Sequence, residues 1–205
     1  MMPSGNHAKL RAHSHTFEME SKRMKIAVAS GKGGTGKTTI ATGLATVLAS
    51  TGTPTTYADC DVEEPNGHLF LKPEIRDTHP ATLSYPAVNK DLCVSCGKCQ
   101  KICRYKAIIL ISDKPLVFPE MCHACSGCML VCPTGAITES EREIGVIETG
   151  TSGGIGFIHG RLSVGQILSP PLIREVKHHI RDEETVIFDC PPGTSCPEIT
   201  ALRGT

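Results

Sequence analysis

Residues 25–39 read KIAVASGKGGTGKTT, and this stretch decides the architecture. KIAVAS is a short apolar run suited to a buried strand. Gly31 through Thr38 then satisfies G-x4-G-K-[ST]. In that spacing the glycines let backbone N–H groups turn inward around phosphate oxygens. Lys37 reaches the β- and γ-phosphates, and Thr38 offers a hydroxyl to magnesium. The spacing of KTTIATGLATVLAS predicts a helix over 37–50 that stops near Gly52. Its N-terminus faces the phosphates and adds its dipole. Strand, glycine loop and helix together make a nucleoside-triphosphate site.

Two acidic segments extend that site. A second strand, over 55–58, runs into DCDVEEPN at 59–66. A later apolar run, over 185–188, ends in DCPPGT at 189–194. An aspartate closing a buried strand is the expected second magnesium contact, which points to Asp189. Gly193 permits a backbone N–H to approach a γ-phosphate closely, and its release after hydrolysis would move the segment that follows. Asp59 and Asp61 stand at the end of the second strand, where carboxylates also serve as helix caps.

The loop GKGGTGKTT, with its extra Lys32, and the segments DCDVEE and DCPPGT resemble the MinD/ParA and nitrogenase iron-protein superfamily of P-loop ATPases. The resemblance implies an α/β fold with a doubly wound sheet, and ATP and Mg2+ as ligands. Nucleotide contacts would come from Gly31, Gly33, Gly34, Thr35, Gly36, Lys37, Thr38, Thr39, Asp59, Asp189 and Gly193. Lys32, Lys37 and Asp61 would be catalytic: Lys32 reaches across a homodimer to the partner's nucleotide, and Asp61 orients the attacking water. Asp59 would lie nearer the magnesium shell, with Thr38 and Asp189 as metal contacts. Domains of this type normally continue past the equivalent of Thr205 with the base-recognition loop, so the sheet is expected to be incomplete at its C-terminus.

Eight of the eleven cysteines fall between Cys93 and Cys132, in two copies of C-x2-C-x2-C-x3-C offset by 29 residues. The first copy is Cys93, Cys96, Cys99 and Cys103; the second is Cys122, Cys125, Cys128 and Cys132, followed by Pro133. DLCVSCGKCQKICRYKAI aligns with EMCHACSGCMLVCPTGAI, so each half is expected to run strand, cysteine loop, short helix, strand. Zinc favours C-x2-C pairs with a longer spacer, and disulfides suit a secreted chain; neither matches this comb. Residues 89–142 resemble the bacterial two-cluster 4Fe–4S ferredoxins, apart from Arg104, where that family usually has proline. The resemblance implies two clusters with crossed ligands. Cys93, Cys96, Cys99 and Cys132 would hold the first, and Cys122, Cys125, Cys128 and Cys103 the second.

The whole chain is therefore expected to be an ATPase with an inserted α+β ferredoxin domain. It divides into an extension at 1–23, ATPase parts at 24–88 and 143–205, and the insertion at 89–142. Its expected function is ATP-gated electron transfer to a redox partner protein, with an iron–sulfur carrier or a redox-sensing ATPase as alternatives. With 21 basic and 21 acidic residues the chain has no broad basic field for nucleic acid. No run approaches the roughly 18 apolar residues of a membrane span, and the chain is read as cytoplasmic. Residues 1–23 contain His7, His13 and His15 without periodicity and are expected to be disordered. Cys60, Cys190 and Cys196 are expected to be small hydrophobes rather than a redox group. Residues 144–180 are expected to form a hairpin and then a helix leading into the strand at 185–189.

Overall fold

The computed structural model describes residues 24–181 and 185–205; the expectations for 1–23 lie outside them. Strand β1 (Lys25–Val28) leads through the glycine loop into helix α1 (Lys37–Ser50). The chain then enters β2 (Thr55–Asp59), the short helix α2 (Gly67–Leu71) and the long strand β3 (Glu74–Val88). Two small repeats follow: α3 (Lys98–Ile102) with β4 (Ile108–Ile111), and β5 (Lys114–Val117) with α4 (Gly127–Leu130). The chain returns in β6 (Ile137–Ser152) and β7 (Ile155–Leu162), then α5 (Pro170–His178), β8 (Thr185–Asp189) and α6 (Cys196–Leu202).

Six strands form one mixed sheet in the order β1-β8-β2-β7-β6-β3. The first four are parallel; β6 and β3 run antiparallel at one edge. β2 and β8 are buried at every residue, because helices cover both faces of the parallel part. On one face Tyr57, Phe157 and Ile187 pack under Ala41 and Ala45 of α1. On the other, Ala58, Val186 and Phe188 meet Leu172, Ile173 and Val176 of α5 and Ala201 of α6. Alternation along each strand divides these sets, and each fully buried aliphatic side chain contributes about 1.5–3 kcal/mol. This two-sided covering gives the doubly wound arrangement. Cys60 and Cys190 belong to the second face and act as core hydrophobes, while Cys196 is exposed.

Gly160 of β7 lies beneath α5. A methyl group there would come within 2.8 Å of both Val176 Cγ2 and Val62 Cγ1. Both neighbours are fully buried and cannot swing aside. Gly160→Ala is expected to cost about 1–3 kcal/mol by overpacking, seen as a melting temperature lowered by several degrees.

EIRDTHPATLSYPAV at 74–88 is polar and contains Pro80 and Pro86, a composition that argues against a strand. β3 is nonetheless a strand because it forms the sheet edge and pairs only with β6, so it tolerates the missing N–H groups. β6 turns into β7 through Gly153 and Gly154, both at positive φ (53° and 86°), as a two-residue hairpin requires.

β7 pairs with β6 only from Gly145 to Ser152, whereas β3 follows β6 down to Ile137. Beyond Gly145 the two strands therefore leave the sheet as a free ribbon. The C-terminal ends of the parallel strands lie at this same edge, because β6 runs against β7 and Gly145 faces Leu162. Eight residues at ~3.4 Å each place the ribbon's end ~27 Å outward. Residues 89–136 hang there, with Ile108, Cys128 and Ile137 as a core of their own. β6 runs unbroken through residue 142, so the expected boundary at 142/143 divides a strand.

Candidate functional site

The loop between β1 and α1 turns on Gly34 and Gly36, at φ 71° and 85°, where a side chain would be strained. Gly36 caps α1 with no side-chain hydrogen bond, and the first turn carries no acid. The N–H groups that open the helix therefore remain available to an anion. The Lys37 ammonium donates to Ser30 Oγ at 3.2 Å, and Ser30 Oγ donates to the Lys32 carbonyl at 2.7 Å. Ser30 thus holds Lys37 over the loop. Lys32 is exposed, as are Gly31, Gly33, Gly34, Thr35 and Thr39.

Asp189 ends β8 beside this loop. Cys190 N–H donates to Val28 O at 3.0 Å and Gly193 N–H to Ser30 O at 3.1 Å, which fixes 189–193 against the phosphate loop. Asp189 Oδ2 accepts from the Tyr57 hydroxyl at 2.8 Å. Asp189 Oδ1 is buried without a hydrogen-bond partner. Burial raises the Asp189 carboxyl above its usual range, and the nearby Thr38 hydroxyl opposes that rise. An orphaned carboxylate oxygen beside a threonine hydroxyl matches the donor set of a hard divalent cation.

Asp59 is fully buried at the end of β2. Its Oδ1 accepts from Asp61 N–H at 3.1 Å and its Oδ2 from Gly67 N–H at 3.0 Å, so Asp59 shapes the acidic loop. Gly67 is required there, since a Cβ would run into the Tyr57 ring. Burial, reinforced by Asp189, pushes Asp59 up to about 8. Burial likewise pushes Asp61 up to about 6. Asp61 faces an open cleft between the acidic loop and Pro191–Pro192. Burial also pushes the Cys190 thiol up to about 12 and holds the Cys60 thiol well above its ordinary value, which leaves both unreactive.

Unfolded aspartates titrate near 3.9, so the folded chain binds extra protons between about pH 4 and 8. Without a cation its stability therefore falls as pH rises through that window, and a bound cation restores it. MgCl2 is expected to raise the melting temperature more at pH 8 than at pH 6. A shift of equal size at both pH values contradicts this.

The strand register extends the site in a way the sequence concealed. Asp189, Asp59, His159 and Glu148 occupy one row across β8, β2, β7 and β6. The His159 ring pairs with Glu148 Oε2 at 2.6 Å through Nε2, while its buried Nδ1 has no partner. Burial lowers the His159 pKa, against the pull of Glu148. Tyr57 could have been suspected, because it shares a strand face with Asp59 at i−2. No local signal pointed to Ser30, Gly67, His159 or Glu148.

The eight comb cysteines are free thiols that line two cavities. One takes Cys103, Cys122, Cys125 and Cys128. The other takes Cys93, Cys96, Cys99 and Cys132. Each cavity thus has three cysteines from one comb and the fourth from the other. Among the described residues no group of three or more His, Cys, Asp or Glu is arranged to hold a metal ion. The backbone repeats as the sequence does: left-handed residues recur in the pairs Ser95/Ala124, Gly97/Ser126 and Lys106/Gly135, each 29 apart.

The model of the CobQ/CobB/MinD/ParA nucleotide-binding domain matches residues 26–194. The uncharacterized protein MJ0578 of Methanocaldococcus jannaschii is 37% identical over 184 residues, covering 88% of this chain and 64% of that protein. The uncharacterized protein MJ0579 of the same organism is 27% identical over 191 residues, covering 89% and 66%. The chain thus spans about two-thirds of the length of these relatives. Among solved structures, the septum site-determining protein MinD of Pyrococcus horikoshii, complexed with Mg-ADP, aligns at 17% identity and a TM-score of 0.44, over 88% of this chain and 54% of that one. No helix among the described residues is long and apolar enough to cross a membrane.

Proposed function

The chain belongs to the CobQ/CobB/MinD/ParA nucleotide-binding domain family, and from that premise we propose that it is an ATP-binding iron–sulfur protein in which the nucleotide gates electron transfer. The loop 31–39 would hold ATP, and the Thr38 hydroxyl and Asp189 would hold its Mg2+. Lys37 neutralises the β- and γ-phosphates and Asp61 positions water. Lys32, exposed at the loop, reaches the nucleotide of a second copy. The ferredoxin-type insertion is drawn at 89–136, between the last residue of β3 and the first of β6.

The two cysteine quartets hold one 4Fe–4S cluster each, which supplies one-electron chemistry. The three-plus-one lining of both cavities supports this reading, together with left-handed backbone at non-glycine Ser95, Ala124 and Ser126. Such strain persists where a site demands the conformation. The cysteines of each cavity would be the ligands of its cluster. The observation that carries gating is the ribbon. It leaves the sheet at the nucleotide edge, so the loops that contact ATP and the strands that hold the insertion share one end of the molecule.

The experiment is potentiometric titration of the anaerobically prepared full-length protein, with and without ATP. A nucleotide-dependent change in cluster potential, or in electron-transfer rate, is expected; identical values end the gating reading. Cys96 and Cys125 are exposed, which favours a second reading, a cluster carrier. Rapid transfer of iron and sulfide to an apo-ferredoxin would distinguish it.

A further inference from the structure

We propose that the α3 face of residues 89–136 docks an acidic one-electron carrier protein, which exchanges its electron at the second cysteine quartet. The proposal rests on reading that quartet as an iron–sulfur site.

The charge evidence is local. Residues 98–106 contain Lys98, Lys101, Arg104 and Lys106 and no acid. All four are exposed, and none forms an ion pair among the described residues. Four of the six basic side chains of residues 89–136 fall within these nine positions, so the cationic side chains are bunched on α3 and the residues that follow it. The local positive charge of 98–106 steers an acidic partner to this face during encounter.

The apolar evidence coincides with it. Leu130 is 85% exposed, and Ile102 and Tyr105 are each 45% exposed. Ile102 and Tyr105 also line the cavity of Cys103, Cys122, Cys125 and Cys128, where Tyr105 stacks on His123 at 3.5 Å between ring centroids. α3 packs against α4, which brings the Ile102 and Leu130 helices together. Exposed apolar side chains interleaved with cations along 98–106 have the composition of a protein interface, and Ile102 and Tyr105 border the cavity of the quartet. Nucleic acid fits less well, because the cations alternate with exposed Ile102 and Tyr105 along the chain and the sequence carries no broad basic field. A membrane surface fits less well too, since α3 has only five residues and presents no amphipathic face of useful length. At the docked face one electron moves: the donor's redox group is oxidised by one unit, the acceptor's is reduced by one, and no proton or bond changes.

The test uses the anaerobically reconstituted full chain and an acidic 4Fe–4S ferredoxin as probe, with association rates followed optically. The expected rate falls at least about tenfold when salt is raised from about 20 to 200 mM. Lys101→Glu/Arg104→Glu/Lys106→Glu is expected to slow association at least about tenfold, and a basic c-type cytochrome is expected not to bind. Leu130→Ser, an exposed change, is expected to speed dissociation and provides a second route should the triple variant fold poorly. Unchanged kinetics in the variants overturns the proposal, as does preferential binding of RNA or anionic vesicles. Iron content separates the two readings. Charge-dependent binding by a chain without iron removes the cluster reading and keeps the docking face; iron present with charge-independent binding removes only the docking face.

Discussion

Replacing Lys37 with alanine is expected to weaken ATP binding about 100-fold or more. Lys37 is held over the glycine loop by Ser30 Oγ at 3.2 Å, and in the proposed complex its ammonium would donate to the β- and γ-phosphates. Each charge-assisted hydrogen bond contributes about 1.5–3 kcal/mol, and the substitution removes two while leaving phosphate charge uncompensated. At about 1.4 kcal/mol per tenfold, two such bonds account for the loss. Lys32→Ala is the matched control. Its side chain is exposed, so ATP affinity is expected to stay within about threefold while hydrolysis that depends on a second copy falls. Isothermal titration with ATP and Mg2+ checks both. Wild-type affinity in Lys37→Ala would remove the phosphate-loop assignment.

The second large effect lies in the cysteine combs, and paired substitutions expose the crossing. The native chain is expected to hold about eight irons in two cubanes. Cys132→Ser alone is expected to leave about four irons. Adding Cys96→Ser should remove no more, because Cys96 and Cys132 line the same cavity. Adding Cys125→Ser instead should remove nearly all the iron, because Cys125 lines the other cavity. If each comb held its own cluster, the two double variants would exchange outcomes. Iron quantification with electron paramagnetic resonance of the reduced protein reads the result directly, and zinc in place of iron defeats the assignment altogether.

What could be read early was whatever is local in the chain. Helix α1 covers 37–50 as expected, and the expected hairpin and helix of 144–180 are present as β6–β7 and α5. The fold class followed from the resemblance, whose first motif, β1 with its glycine loop and α1, is one contiguous unit of the chain. β3 has no such local signal. Its stability comes from β6, which begins 49 residues after Val88, and its own composition argues for a loop. Among the site residues, Tyr57 reaches Asp189 across 132 positions of sequence, a contact that no local pattern encodes.

The amino-acid sequence by itself determined the phosphate loop, the two aspartate-ending strands and the duplicated cysteine comb. In each case the groups involved lie within a few consecutive residues, and their chemistry depends on spacing along the chain. Only the tertiary structure decided that Asp189, Asp59, His159 and Glu148 share one row, and that the cysteine unit leaves the sheet at the C-terminal ends of its parallel strands. Those facts follow from strand order and register. Both are set by burying two faces of one sheet between helices distant in sequence, and a register shift of one residue would turn every one of those side chains to the other face.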